Sequence, residues 1–239
     1  MLTPRIFVGG GHAPSPGADY VLADEAARHV AHALRMRVGE ALTLFTGEGG
    51  EYVATITRID RRGVVVRVDR HEAVERETAR PLTLVQATIA ADMMDFVVRK
   101  AVELGAAAIV PVEASRSQRI AADRAGRRVE HWRAIAIAAC EQCGRNRVPA
   151  VQPISGFDAW LAGYEKDAAL IMLDASAQHS IVEAAREEFP RVVAIGPEGG
   201  FTPDELAQAC ARGAVAAHLG PRVLRAETAA LAALAILAT

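Results

Sequence analysis

Cysteine, lysine and long apolar runs are scarce in this chain of 239 residues. The three cysteines, Cys140, Cys143 and Cys210, are too few and too unevenly spaced for the disulfide framework of a small secreted protein. No run of eighteen apolar residues occurs, so we expect no membrane-spanning helix. The opening residues, Met1 to Arg5, also lack the apolar stretch of a signal peptide. These absences predict a cytoplasmic protein.

Several binding motifs are also missing, and each absence argues against a class of site. The chain has neither a glycine-rich dinucleotide fingerprint nor a phosphate-binding loop with its lysine, which argues against a nucleotide-phosphate enzyme. Cys140-Glu-Gln-Cys143 lacks a second pair of ligands to complete a zinc site. It also falls at the end of a predicted helix, whereas a redox motif would begin one. We therefore expect no bound metal and two buried thiols.

Arginine supplies nearly all the positive charge. Of the 27 basic residues only Lys100 and Lys166 are lysines, although the formal net charge is −2. Eight arginines lie between Arg116 and Arg147, against three acidic residues. The planar guanidinium group suits phosphates and base edges, so this local excess could meet a polyanion. A codon bias towards arginine and a solvated, ion-paired surface are the alternatives.

The hydrophobic pattern changes its period once along the chain. Residues 1–75 contain a helix from Asp24 to about Leu34, with Asp24 as its N-cap, and then short strands with glycine-rich turns, which together predict a small β-barrel. A charged segment, 72–81, is the expected linker. The second domain, 76–239, alternates strands and helices, which predicts an α/β fold with a mostly parallel sheet. We expect its strands at 82–87, 108–111, 170–173, 192–195 and 214–219, and its helices at 93–104, 124–143, 181–188, 203–211 and 227–237.

Two glycine–proline loops near the C-terminus carry most of the functional information. The first spans 195–205 and ends in a predicted capping box between Thr202 and Glu205, so that a helix N-terminus points at the loop. Glycine lets backbone approach a ligand closely, but Glu198 within this loop would oppose an anion. We therefore expect a pocket of main-chain groups for a neutral base or a cationic ligand. A tight strand-to-helix turn without a ligand is the alternative.

The second loop, 219–229, lies about twenty residues further along and completes the expected pocket. It carries Arg225 and Glu227, for which an ion pair at a helix start is the structural alternative. The helix that follows is apolar on every side, so it must be buried in a core or against a second subunit.

These motifs resemble those of the RsmE family. The two tail motifs, Gly196-Pro-Glu-Gly-Gly200 and Leu219-Gly-Pro-Arg-Val-Leu-Arg-Ala-Glu-Thr228, are specific as a pair, and the resemblance runs from end to end in order. Further matching segments are Leu34-Arg-Met36, Lys100-Ala-Val-Glu-Leu-Gly105, Ala138-Ala-Cys-Glu-Gln-Cys-Gly-Arg145 and Arg147-Val-Pro149. The family is similar to the wider SPOUT class, in which the C-terminal chain forms a deep trefoil knot, a rare exception to the rule against threaded loops.

The resemblance implies methylation of N3 of one uridine in 16S ribosomal RNA, with S-adenosyl-L-methionine as cofactor. It also implies a PUA-like RNA-binding barrel at 1–75, a SPOUT domain at 76–239 and a homodimer. We expect the 16S RNA to be bound within a small ribosomal subunit particle, with naked RNA as the alternative. Implied cofactor contacts are Leu173, Ile195, Gly196, Pro197, Glu198, Gly199, Gly200, Leu219, Gly220, Arg222, Leu224, Thr228 and Ala229. Expected RNA contacts are Arg5, Arg35, Arg37, Arg116, Arg145 and Arg147.

Methyl transfer to N3 requires loss of the proton on that nitrogen, so a base or a cation must assist. Our hypothesis is that Arg225 stabilises the uridine anion at the uracil carbonyls, with Glu227 orienting it or taking the proton. The chain departs from the family pattern at Ala91-Asp92-Met93-Met94, where relatives more often carry a lysine or a glycine-rich opening, which affects substrate contacts at that loop. The competing hypothesis is a non-catalytic RNA-binding protein.

Overall fold

A computed structural model describes residues 3–164, 169–187 and 191–238. The chain forms two compact units. The first comprises Met1–Glu77 with Cys140–Val148, and the second comprises Thr78–Ala139 with Pro149–Thr239. The elements of the first unit are β1 (Arg5–Phe7), β2 (Asp19–Val21), α1 (Asp24–Arg28), a π-helical turn (His29–Ala33), β3 (Ala41–Phe45), β4 (Glu51–Asp60) and β5 (Gly63–Glu72).

The first unit is built on a five-stranded sheet in the order β1-β3-β4-β5-β2. The three longer strands contain the short strands that the sequence predicted between glycine-rich turns, whereas β1 and β2 have three residues each and show too little pattern to detect. The predicted helix is also present, but its N-cap is Ala23 rather than Asp24. Asp24 instead lies in the first turn, where its charge favours the helix dipole. Apolar side chains from both α1 and the sheet form the core.

A buried ionic network holds the segment 140–148 within this unit. The Glu51 carboxylate accepts hydrogen bonds from Arg5 at 2.6 Å and from Arg76 at 2.9 Å, and Arg5 also donates to the side chain of Asn146. Burial alone would raise the pKa of Glu51, but the hydrogen bonds from Arg76 and Arg5 lower it to about 2. Arg145 is buried and pairs with Glu77.

The second unit is an α/β fold with a parallel sheet, as predicted. Its strands are β6 (Thr83–Ala87), β7 (Ala108–Glu113), β8 (Ala150–Val151), β9 (Ser155–Gly156), β10 (Leu170–Leu173), β11 (His179–Ser180), β12 (Val192–Ile195) and β13 (Val215–His218). The strand order is β11-β13-β10-β12-β6-β7-β8, with β9 paired to β7, and every one of these pairings is parallel. Its helices are α2 (Ala91–Glu103), α3 (Ala122–Cys143), α4 (Phe157–Ala162), α5 (Ile181–Glu187), α6 (Pro203–Ala211) and α7 (Ala226–Leu237), and the residues of α3 from Cys140 onward belong to the first unit.

All five strands and five helices expected in this unit are present, and none of their described ends shifts by more than two residues. The last residue of the predicted helix 181–188 lies outside the described part. The six-residue helix α4 was not predicted, because one and a half turns show no clear period. Its Phe157 lies in the core against Phe201, with ring centroids 5.1 Å apart. No helix within the described ranges is long and apolar enough to span a membrane.

The last helix, α7, is only partly enclosed by its own chain. Its inner face is buried against the sheet and α2, through Ala226, Ala230, Ala233, Leu234 and Leu237. Its outer face carries Ile236, which is 42% exposed. Burial on every side is therefore not achieved within one chain.

Candidate functional site

The first glycine–proline loop follows the fully buried strand β12 and leads into α6. Its capping box is confirmed: the Thr202 side chain accepts from the Glu205 amide, and the Glu205 carboxylate accepts from the Thr202 amide. Gly200 has φ +67°, a conformation that favours glycine, and its amide donates to the Pro197 carbonyl at 2.8 Å. A Cβ on Gly196 would lie only 2.9 Å from the Phe201 amide nitrogen, so only glycine fits there without displacement.

The second loop connects β13 to α7. Gly220 has φ +107°, and its amide donates to Nδ1 of His218 at 2.9 Å. Helix α7 begins at Ala226, with Arg225 as its N-cap residue. This loop therefore also has a backbone turn that only glycine adopts easily.

The two loops meet at the carboxyl ends of the neighbouring strands β10, β12 and β13 and enclose a pocket of about 360 Å³. That volume lies within the usual range for small-molecule sites. The structure brings together twelve of the thirteen predicted cofactor residues as its lining: Leu173, Ile195, Gly196, Pro197, Glu198, Gly199, Gly200, Leu219, Gly220, Arg222, Leu224 and Ala229. The thirteenth, Thr228, is exposed and is not part of this lining.

Sequence reasoning missed several lining residues. They are Asp174, Ala175, Ser176, Phe201, Ala217, His218, Val223 and Ala226. The Asp174 carboxylate accepts from the Ser176 amide at 2.6 Å, which closes a turn directly after β10. An Asp two residues before a serine at the end of a predicted buried strand is a recognisable turn signal, and it could have identified this wall of the pocket.

The charged lining residues are of both signs. Arg116, predicted as an RNA contact, lines the pocket and donates from Nη1 to the Gly199 carbonyl at 2.6 Å. The Glu198 carboxylate lies 3.5 Å from the amide of Ala90, the N-cap of α2, where the helix dipole favours a negative charge. A pocket with carboxylates beside main-chain groups suits a cationic ligand with hydrogen-bonding heteroatoms, as the sequence predicted.

The two predicted catalytic residues lie at the N-terminus of α7, beside the pocket but outside its lining. Arg225 is exposed and Glu227 is half-buried. Their side chains form neither an ion pair nor a hydrogen bond within the described residues, so the expected alternative of a mutual ion pair is absent there. The Arg225 guanidinium is thus available to a substrate.

The other predicted RNA contacts differ in accessibility. Arg35, which has φ +53°, and Arg37 are exposed, as is Arg147, whose ion pair with Glu75 spans 3.5 Å. Arg5 and Arg145 instead lie inside the first unit, in the carboxylate pairs described above. RNA contact through these two buried side chains would require those pairs to open.

The cysteine pair behaves as a structural feature of the helix end. Cys140 is buried, and this burial raises the pKa of its thiol to about 12, so the thiol stays protonated. Cys143 is only half-buried, so the prediction of two buried thiols is correct for Cys140 alone. Among residues 3–164, 169–187 and 191–238, no group of three or more metal-ligating side chains occurs.

Comparisons with known proteins define the class. Residues 76–238 match the family model of an RNA methyltransferase domain, and residues 22–69 match that of an RNA methyltransferase PUA domain. The larger match covers more than half of the chain, so the class is that of RNA methyltransferases.

Individual relatives define the family. Ribosomal RNA small subunit methyltransferase E of Mycobacterium bovis is 34% identical over 230 residues, covering 92% of this chain and 86% of that protein. The crystal structure of ribosomal RNA small subunit methyltransferase E from Neisseria gonorrhoeae, bound to S-adenosyl methionine, matches with a TM-score of 0.90 and 36% identity over 98% of this chain and 96% of the other. A methyltransferase of Legionella pneumophila in complex with the cofactor SAM gives a TM-score of 0.89 and 37% identity, over 99% and 97%. The chain belongs to the ribosomal RNA small subunit methyltransferase E family, which confirms the resemblance to RsmE.

Proposed function

We propose that this protein transfers a methyl group from S-adenosylmethionine to N3 of one uridine in 16S ribosomal RNA. The observation that carries the proposal is the pocket formed by the two glycine–proline loops in a chain of this family. Both structural relatives named above hold S-adenosylmethionine, which supports the same cofactor here. A pocket with Glu198 and Asp174 in its lining also complements the sulfonium and ammonium charges of that molecule.

The residues present fit this cofactor. A Cβ at position 196 would clash with the backbone of Gly200 and Phe201, so glycine lets this loop fold tightly on itself where it lines the pocket. Main-chain groups of Gly196–Gly200 and Leu219–Leu224 would hold the adenosine and methionine parts, with Leu173 as a third wall. When bound, S-adenosylmethionine supplies an electrophilic methyl group. The chain's contribution is to hold that methyl in line with the substrate nitrogen, and positioning of this kind accounts for a large part of catalysis.

The proton on uridine N3 sets the remaining requirement. In our proposal Arg225 stabilises the negative charge that develops on the uracil carbonyls, and Glu227 orients Arg225 or accepts the proton. The exposure of Arg225 and its lack of a side-chain partner within the described residues support this role. For RNA, the accessible candidates are Arg35, Arg37, Arg147 and Arg116, which would contact phosphates.

The proposal includes a homodimer, in which the outer face of α7 packs against a second copy of the chain. On this face Ile236 is 42% exposed, and in the loop before the helix Val223 is 86% exposed. Both support the arrangement because exposed apolar side chains gain from burial. A deep trefoil knot around the second loop, a cytoplasmic location and a substrate within a small-subunit particle complete the proposal, all three resting on the family.

Mass spectrometry of ribosomal RNA from cells lacking the protein tests the proposed function. We expect loss of one N3-methyluridine from 16S RNA, restored by the wild-type gene and not by a gene encoding Arg225→Ala. Purified Arg225→Ala should still bind S-adenosylmethionine. An unchanged RNA in the deletion strain, together with no cofactor binding by the purified protein, would favour a non-catalytic RNA-binding protein instead.

A further inference from the structure

The loop between β7 and α3, residues 114–121, is attached to the first glycine–proline loop by one buried carboxylate. Glu205 is 4% exposed. Its Oε2 accepts from the Thr202 amide at 2.8 Å, which is the capping box, but its Oε1 accepts from the Ser115 amide at 2.7 Å. The capping box alone does not require this second bond, because Ser115 belongs to a different loop.

Further hydrogen bonds hold the same loop around and after Arg116. The Ala114 amide donates to the Ser117 hydroxyl at 3.0 Å. The Gln118 amide donates to the Thr88 carbonyl at 3.1 Å, and the Thr88 hydroxyl donates to the Gln118 carbonyl at 2.8 Å. Arg116 is therefore flanked by anchored backbone on both sides, although its own side chain is exposed.

The stem and the head of Arg116 both lie on Gly199. A Cβ added to Gly199 would meet the Arg116 Cδ at 3.1 Å and its Cβ at 3.5 Å, so the stem packs against this glycine. The head donates to the Gly199 carbonyl, as described above. A guanidinium group has five N–H donors, and within the described residues this bond is the one that Arg116 makes, so positive charge and further donors face the pocket.

The Glu205 carboxylate stays ionised in this position. Burial alone would raise its pKa, but the hydrogen bonds from the Thr202 and Ser115 backbone lower it below the ordinary value. Two amides from two loops thus converge on one charged acceptor, and charge-assisted bonds of this kind are the stronger ones.

We propose that Glu205 is a positioning residue for RNA: by holding Ser115 against the start of α6, it fixes Arg116 on Gly199, where the guanidinium meets a phosphate of the RNA substrate. This inference rests on the proposed function, because it assigns a residue to the substrate of the same site. The exposure of Arg116 at the pocket favours a phosphate of the polymer over the carboxylate of the cofactor.

The test is a double-mutant cycle on Glu205→Gln and Arg116→Ala, measured as the KM for RNA in a methylation assay. Arg116→Ala should raise the KM for RNA about ten-fold. It should also reduce the slope of log KM against log salt concentration by about 1, the value expected for loss of one phosphate contact. Glu205→Gln keeps the size of the side chain, but its NH2 group cannot accept a hydrogen bond. One of the two backbone amides, of Ser115 or Thr202, therefore loses its acceptor. Glu205→Gln should also raise the KM for RNA. The KM of the double variant should be no higher than that of Arg116→Ala alone. The kcat and the Kd for S-adenosylmethionine should change less than about two-fold in each variant.

Thr202→Ala is the matched control, because it weakens the same helix cap and leaves the Glu205–Ser115 bond in place. Its effect on the KM for RNA should be small and should add to that of Arg116→Ala. Thermal unfolding checks the fold of each variant, and Glu205→Asp replaces Glu205→Gln if the latter is unfolded, because a shorter carboxylate cannot reach both amides.

Additive effects of Glu205→Gln and Arg116→Ala on the KM for RNA would overturn the proposal. A Kd for the cofactor that rises as much as the KM for RNA would overturn it too, because Arg116 would then serve the cofactor carboxylate. An inactive wild-type protein would refute the proposed function instead.

Discussion

The substitution Gly196→Ala tests whether the close backbone approach in the first loop matters for ligand binding. The new Cβ would lie 2.9 Å from the Phe201 nitrogen and 3.1 Å from the Cα and carbonyl carbon of Gly200. Ordinary contacts of this kind are about 3.5 Å, so the overlap is roughly half an ångström. All three atoms are backbone, and therefore no side-chain rotation relieves the overlap.

Relief of this clash requires movement of the turn that Gly200 closes onto Pro197, and that turn lines the pocket. Overpacking of this size costs about 1–3 kcal/mol, which corresponds to a roughly 5- to 150-fold loss of affinity if it falls on the bound state. Titration calorimetry with S-adenosylmethionine measures the change. Gly199→Ala is the control, because the nearest atom to its new Cβ is the Arg116 Cδ at 3.1 Å, in a side chain that can shift, and no backbone atom is among its three nearest neighbours. It should weaken binding less than about three-fold. Wild-type affinity and wild-type stability in Gly196→Ala would show that the loop accommodates the new methyl group without displacing its backbone.

Three further predictions concern stability and are measured by denaturant unfolding. Gly126→Ala should stabilise the protein by about 0.5–1 kcal/mol, because the residue is exposed within α3 and its new Cβ meets no atom within 4 Å; a destabilised variant would contradict this. Phe157→Ala should cost about 3–5 kcal/mol, since the ring is 2% exposed and packs on Phe201; a loss under about 1 kcal/mol would show that the core repacks. Glu51→Gln should cost roughly 3 kcal/mol at pH 7. The pKa of this carboxyl is lowered from 4.5 to about 2, so its contribution is complete above pH 4.5 and is lost as the pH falls towards 2. The difference from wild type should therefore shrink at pH 3, and a constant difference would argue against the ionic network as its source.

The pocket was largely predictable because its signals are local. A glycine with positive φ, a proline at the first helical position and a capping box each depend on residues that are neighbours in sequence. The burial of Arg145 was not predictable in this way, and its contact with RNA stays a prediction. Its burial beside Glu77 depends on a segment that returns to the first unit from a distant part of the chain, and no local pattern reports such a return.

The apolar helix α7 shows the limit of composition. Its sequence predicts burial on every side, yet the chain covers one face and leaves Ile236 exposed. Composition reports that a surface must be covered, and it does not report by which partner.

The α/β class, the two loops and the family could be predicted from the sequence, because strand and helix periods and backbone turns are properties of short segments. The arrangement of the carboxyl ends of β10, β12 and β13 side by side depends on the order of strands in the folded sheet, which brings Asp174 and His218 to the same pocket as the glycines. The tertiary structure also places Glu205 against Ser115 and Arg116 on Gly199. These contacts arise from the order of parallel strands, which are joined by crossovers of many residues, so their partners cannot be read from neighbouring positions.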